Sequence, residues 1–243
     1  MRKLTTLLLA LLMLSTPVPA EDTLVNGICE YVLTNEGAII TLFYLDEHTT
    51  DVIVIPAELG DMPVIGIAEG ALTYYWGEIA FEADLPRISN KDGFLIDTLT
   101  STLLYSAPSS VGQPLPPVCR LGKGCTINWV TGWGEMDVII PEGVEEIAAY
   151  AFYDWEAKSL TLPESLRLIE TCAFESFNVV DLPIVIPEGV QEVQYGAFGL
   201  TYQVGEWGLY ETPDMIVERG DGTHYETYEE YVARTGDDSW EIE

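Results

Sequence analysis

The chain has 243 residues, with 40 Asp and Glu against 10 Lys and Arg, and a net charge of −30 at neutral pH. A field of that sign repels nucleic-acid phosphates and anionic membrane surfaces, so neither is expected as a partner. Hydrophobic residues make up 48% of the sequence, which excludes wholesale disorder.

Residues 1–20 read as a secretory signal peptide. Arg2 and Lys3 give a charged start, Leu4 to Leu14 is a leucine-rich run, and Ser15-Thr16-Pro17-Val18-Pro19-Ala20 ends on small residues at the last and third-last places. Such a segment is too short to span a bilayer and carries a cleavage signature after Ala20. No later apolar stretch reaches the roughly 18 residues that a spanning helix needs. The mature chain, 21–243, is therefore expected to be secreted or associated with the cell surface, without membrane insertion. Removing Arg2 and Lys3 makes it more acidic still.

Glu30 to Tyr44 reads as two strands joined by an Asn35-Glu36-Gly37 turn, a hairpin at the start of the fold. Ile53 to Leu72, IVIPAELGDMPVIGIAEGAL, is a loose version of a phrase that recurs later, with five extra residues after Pro56 that resemble a loop insertion. Asn90-Lys91-Asp92-Gly93 and the following FLIDTLTSTLLYSAP read as another hairpin. The next stretch, SSVGQPLPPVCRLGKGCTINWVTGWGEM, is rich in Gly and Pro, has no clear periodicity, and reads as an elaborated loop.

Then the sequence repeats itself: VIIPEGVEEIAAYAF from Val138, LTLPESLRLIETCAF from Leu160, and IVIPEGVQEVQYGAF from Ile184. The prolines Pro141, Pro163 and Pro187 are 22 and 24 residues apart. Val144, Leu166 and Val190 follow them by three residues, and Ile147, Ile169 and Val193 by six. An Ala-Phe pair begins ten residues after each proline and ends in Phe152, Phe174 and Phe198. Constant offsets bring each residue against its own counterpart in the next copy. The reading is a short strand stopped by proline, then an irregular return over the core that buries the Phe on the next Phe. A period of this length cannot hold a strand–helix–strand unit of about 30 residues; it does match stacked solenoid coils, which bury their apolar faces only on one another.

The pattern apolar-x-apolar-Pro-x-x-apolar-x-x-Ile-x-x-x-Ala-Phe resembles the BspA-like leucine-rich repeats of bacterial secreted and surface proteins. That resemblance implies an α/β-type repeat solenoid: a right-handed leucine-rich-repeat coil with short parallel strands, hairpin-like N-terminal repeats, and a strand–helix–strand C-terminal cap. Residues 21–243 are expected to form one such domain. It divides into an N-terminal hairpin and degenerate repeat (21–75), a hairpin and irregular insertion (76–136), three regular repeats (137–212) and the cap (213–243). The family likeness further implies a non-catalytic protein, without cofactor, that binds other macromolecules through its sheet face and loops, in an adhesin-like or host-interaction role.

The residues support that reading by what they lack. His48 and His224 sit in polar, turn-like contexts, and the nucleophile-elbow, metalloprotease-helix and phosphate-loop patterns are absent. Candidate contacts are the outward strand positions Ile139, Thr161 and Val185, together with the loop aromatics Trp129, Trp133, Tyr153 and Trp155. The aromatics suit protein or sugar contacts, and suit equally the packing of a long loop onto its own solenoid. A carbohydrate-binding module using the Trp129 and Trp133 loop is thus the alternative function. Glu142, Glu164 and Glu188 follow the three prolines and should form a column about 4.8 Å apart, either a hydrated rim or a weak calcium site. Among the four cysteines, Cys119 and Cys125 could close a small disulfide loop in an oxidising compartment, and Cys172 reads as a small buried apolar residue.

Overall fold

The computed structural model describes residues 23–44, 52–73, 75–126, 129, 136–153, 156–175, 178–179, 184–198, 217–218 and 221–238. Residues 1–20, expected to be a signal peptide, and His48, Trp133 and Trp155 lie outside the described residues.

At the N-terminal end, β1 (Leu24–Asn26), β2 (Cys29–Leu33) and β3 (Ala38–Phe43) form an antiparallel meander. The turn between β2 and β3 is closed by Thr34, whose hydroxyl donates to the Gly37 carbonyl at 2.8 Å and accepts the Gly37 amide at 3.1 Å. The degenerate copy supplies β4 (Ile53–Ile55), β5 (Glu58–Leu59) and β6 (Met62–Ile67). Its five extra residues are a hairpin rather than a loop. β5 and β6 pair antiparallel around Gly60 and Asp61, both at positive φ, the twist that two-residue hairpin turns require. β6 then runs parallel to β3, giving a five-stranded sheet in the order β1-β2-β3-β6-β5. β4 pairs in parallel with β7 (Ile79–Phe81) beside it.

The middle hairpin comprises β8 (Ile88–Lys91), β9 (Phe94–Asp97) and β10 (Thr102–Ser106), with Asp92-Gly93 at the first turn in the same positive-φ pair. β10 is buried along its whole length. Leu103 joins the core of the repeats while Leu104 and Tyr105 join the N-terminal core, a register shift between Leu103 and Tyr105 breaking the simple alternation of side chains. Phe94 and Leu95 on β9 divide in the same way. The hairpin is a wall between two cores, and for that reason TLLYS reads as an unbroken buried run.

Each regular repeat contributes more strands than its sequence reveals. The stretches before the prolines form β12 (Asp137–Ile139), β15 (Ser159–Thr161) and β18 (Ile184–Val185). The return segment, expected to be irregular, carries β13 (Glu146–Ile147), β16 (Leu168–Ile169) and β19 (Glu192–Val193). A third short pair, β14 (Glu156–Ala157) and β17 (Asn178–Val179), completes the coil. All these pairings between coils are parallel.

The supposed loop also holds a coil. β11 (Arg120–Leu121) pairs in parallel with β10 on one side and β13 on the other. Val118, Leu121 and Cys125 are buried where Val144, Ile147 and Ala151 lie in the next turn. The main sheet, in the order β21-β19-β16-β13-β11-β10-β9-β8, ends on β21 (His224–Tyr225). Leu121, Ile147, Ile169, Val193 and Tyr225 succeed one another in register across it.

After β21, the helix α1 (Tyr228–Thr235) begins on Thr227 with a complete capping box. The Thr227 hydroxyl accepts the Glu230 amide, and the Glu230 carboxylate accepts the Thr227 amide; Gly236 ends the helix in the left-handed conformation. Buried Tyr231 and its neighbour Tyr228 pack on Tyr195 of the last regular repeat, with ring centroids 5.6 and 5.5 Å away. Among the described residues this is the one α-helix.

Candidate functional site

The strands before the prolines each turn one side chain outward between inward neighbours, with Leu160 half-buried on the middle strand. Val138, Ile140, Leu162, Ile184 and Ile186 are buried, while Ile139 and Val185 keep 62% and 56% of their surface, and Thr161 is exposed between them. Ile139 and Thr161 are direct partners in the β12–β15 register. β18 lies against β15, so the three side chains form one continuous β-branched strip down the face of the stack. The degenerate copy repeats the arrangement: Val54 is 46% exposed between buried Ile53 and Ile55. Sequence reading passed over Val54, although it precedes Pro56 by two residues just as Ile139 precedes Pro141.

The glutamate column borders this strip, and its members are used unequally. Glu142 is a structural acceptor, taking the Glu164 amide at 3.0 Å and the Ser165 amide at 3.3 Å. One coil further on, Arg167 replaces that device. Its Nη1 donates to the carbonyls of Glu164, Leu166 and Gly189 at 3.0–3.1 Å. A Cβ at Gly189 would fall 2.2 Å from that nitrogen, so only glycine leaves it room. Glu142, Glu164 and Glu188 are all exposed. Among the described residues, no three or more His, Cys, Asp or Glu side chains converge as metal ligands.

The opposite ladder is closed by charge. Arg120 on β11 reaches Glu69 through Nε at 3.0 Å, Glu146 through Nη1 at 2.6 Å and Glu170 through Nη2 at 2.8 Å. Burial works against its charge, yet the carboxylates of Glu69 and Glu170 outweigh it and hold the guanidinium above its ordinary pKa. One side-chain acceptor per coil then caps the turn of the coil before. Glu170 takes the Ala149 amide at 3.0 Å, Gln194 the Thr171 amide at 3.1 Å, and Glu226 the Tyr195 amide at 2.9 Å. Those turns need such support. Tyr150 and Cys172 sit at φ 59°, where Gly196 and Gly124 stand in the neighbouring coils.

The aromatic candidates divide. Trp129 is 3% exposed, packs in the core of the repeats, and donates its indole N–H to the Gln113 carbonyl at 2.8 Å. It fastens the insertion to the stack, and its face is not available to a sugar or a partner. Tyr153 is half-buried with its ring edge on Tyr150, 6.0 Å between centroids. Trp133 and Trp155 lie outside the described residues. The Cys119–Cys125 bridge is not formed: all four cysteines are free thiols, with Cys119 exposed and Cys125 buried. His224 is exposed and pairs with Glu230 at 3.3 Å. The structural positions Phe152, Phe174, Ile147, Ile169 and Val193 are buried, and Phe198 packs against them partly exposed.

Residues 136–216 match the family described as "BspA type Leucine rich repeat region (6 copies)". This part of the chain is thus a BspA-type leucine-rich-repeat region. Among solved structures the chain is similar to that titled "The Crystal structure of Pneumococcal vaccine antigen PcpA", at 16% identity and a TM-score of 0.44, over 59% of this chain and 38% of that one. Among curated proteins none matches.

Proposed function

We propose that this is an exported, non-catalytic leucine-rich-repeat protein that binds another macromolecule, a protein ligand in an adhesin-like or host-interaction role. The observation that carries the reading is the β-branched strip Ile139–Thr161–Val185, exposed on strands whose other apolar residues are buried or half-buried. A soluble chain gains nothing in stability by holding β-branched side chains in water at matching places in successive coils, whereas a partner gains contact area. The stack presents that area without a cleft and without chemistry. Export is supported by the first twenty residues and agrees with the acidic composition. Among the described residues, no helix is long and apolar enough to cross a membrane.

The experiment is a capture of partners from mucosal and matrix extracts by the purified chain, with and without calcium, repeated with Ile139→Gln/Val185→Gln. A saturable partner lost in the double variant supports the reading. A partner retained by the double variant removes the strip from the function, and binding that depends on calcium redirects attention to the glutamate column.

A further inference from the structure

The strip has a border in which carboxylates outnumber cations, and that border decides what can cover it. Asp137 stands on one flank, at the outward position two residues before Ile139. Glu142, Glu164 and Glu188 stand on the other, all exposed. Beyond the last coil, β20 (Val217–Glu218) pairs in parallel with β18 and extends the ladder. Two exposed cations are tied down beside the strip: Lys158 lies 3.7 Å from Asp137, which it neutralises in part, and Arg167 is held by the carbonyls of Glu164, Leu166 and Gly189. The β-branched strip is therefore an apolar centre in an anionic frame.

Three occupants fit an exposed apolar strip, and charge separates them. A second copy of the chain would bring another −30 and place glutamates against glutamates. An anionic lipid surface is repelled by the same field. We propose that the strip and its border form a docking surface for a cationic polypeptide segment, one that alternates Lys or Arg with apolar side chains. This rests on the protein-binding reading above and names the chemistry of the partner. The apolar side chains cover Ile139, Thr161 and Val185, where water is displaced and most of the affinity arises. The Lys or Arg side chains reach Glu164, Glu188 and Asp137 at the rim, where exposed ion pairs speed association and select the sign of the partner more than they tighten binding.

The column then has a use that a hydrated rim lacks. Glu142 accepts two backbone amides, which fix its carboxylate at the edge of the strip. Glu164 and Glu188 occupy the same position in the following coils, and both are exposed. Stacked coils place like charges about 4.8 Å apart, an unfavourable arrangement that a cationic partner relieves.

The test uses the full chain and two synthetic peptides of equal length, one alternating leucine with lysine and one alternating leucine with glutamate. Affinity is read by fluorescence anisotropy at about 0.05 M and about 0.5 M salt, where the screening length differs severalfold. The expected result is saturable binding of the lysine peptide alone, weakened about tenfold or more by the higher salt. Glu164→Gln/Glu188→Gln should weaken it about two- to fivefold per charge, and Ile139→Gln/Val185→Gln about tenfold, with unchanged circular dichroism in both variants. Equal binding of the two peptides, or full affinity in either double variant, would overturn the proposal. A partner captured from extracts that needs Ile139 and Val185 but ignores salt and the glutamine substitutions would overturn the cationic chemistry and leave the binding function standing.

Discussion

The ring of Phe174 lies parallel to that of Phe152, with 5.1 Å between centroids and 6° between planes. The same geometry recurs on its other side, where Phe198 is 5.2 Å and 3° away. These spacings slightly exceed the roughly 4.8 Å between paired strands, so the rings stack offset, the arrangement that aromatic quadrupoles favour over a face-to-face sandwich. Phe174 is fully buried between two stacked partners. Phe174→Ala should therefore cost about 3–5 kcal/mol, read as a lower midpoint in denaturant. Phe198→Ala, at the partly exposed end of the row, should cost clearly less. An unchanged midpoint for Phe174→Ala would remove the stacked row as a source of stability.

That row was legible in the sequence because its distance from the proline never varies. The main sheet was not. Glu146-Ile147, Leu168-Ile169 and Glu192-Val193 are two-residue strands, too short for alternation to separate them from a turn. The coil at 115–126 was hidden by losing its marks, since Leu115 replaces the proline and Thr126 the phenylalanine. Its offsets survive at Val118, Leu121 and Cys125, three, six and ten residues after Leu115. The same alignment sets Cys172 beside Gly196, a glycine whose positive φ Cys172 shares. At the candidate site the outward strip was readable from the constant offset of Ile139, Thr161 and Val185 before their prolines. Composition placed Trp129 in a loop but could not show that the loop folds down onto the core.

The free thiols give a count. Burial pushes the Cys29 and Cys125 thiols up, and burial with Glu175 nearby pushes Cys172 up to about 12, so none of these three forms thiolate readily. Cys119 is the exposed one. Titration of the native chain with a thiol reagent at mildly alkaline pH should consume one thiol rapidly, and four after denaturation. A denatured total of two would show that Cys119 and Cys125 pair after all.

Arg120 ties residues far apart in the chain. Glu69 precedes the middle hairpin, and Glu146 and Glu170 belong to successive regular repeats, yet all three meet one guanidinium. Each carboxylate takes a different nitrogen, a division of labour that a planar fork performs and an ammonium cannot. Arg120→Lys should cost about 1–2 kcal/mol and Arg120→Ala about 2–3 kcal/mol, because the substitution also leaves three carboxylates facing one another. Adding salt should restore part of the loss in the alanine variant by screening that repulsion. A lysine variant as stable as the parent would show that point charge, not the fork, is what the network needs.

Glu226 closes the other end of the stack and makes it sensitive to acid. Its carboxylate accepts from Arg234 at 2.7 and 2.9 Å and from the Tyr195 amide at 2.9 Å. The bond to Arg234 lowers its pKa below the ordinary 4.5, burial opposes this, and the Tyr195 amide adds to the lowering. The unfolded chain thus takes up the proton more readily than the folded one, so the stabilisation is complete at neutral pH and is lost as pH falls below about 4.5 and through the folded value. Glu226→Gln keeps an acceptor for the Tyr195 amide but loses the charge that faces Arg234. It should lower stability at pH 7 by about 1–2 kcal/mol and flatten the acid limb of the melting temperature against pH. Parallel curves for parent and variant down to pH of about 3 would place the acid sensitivity at other carboxylates.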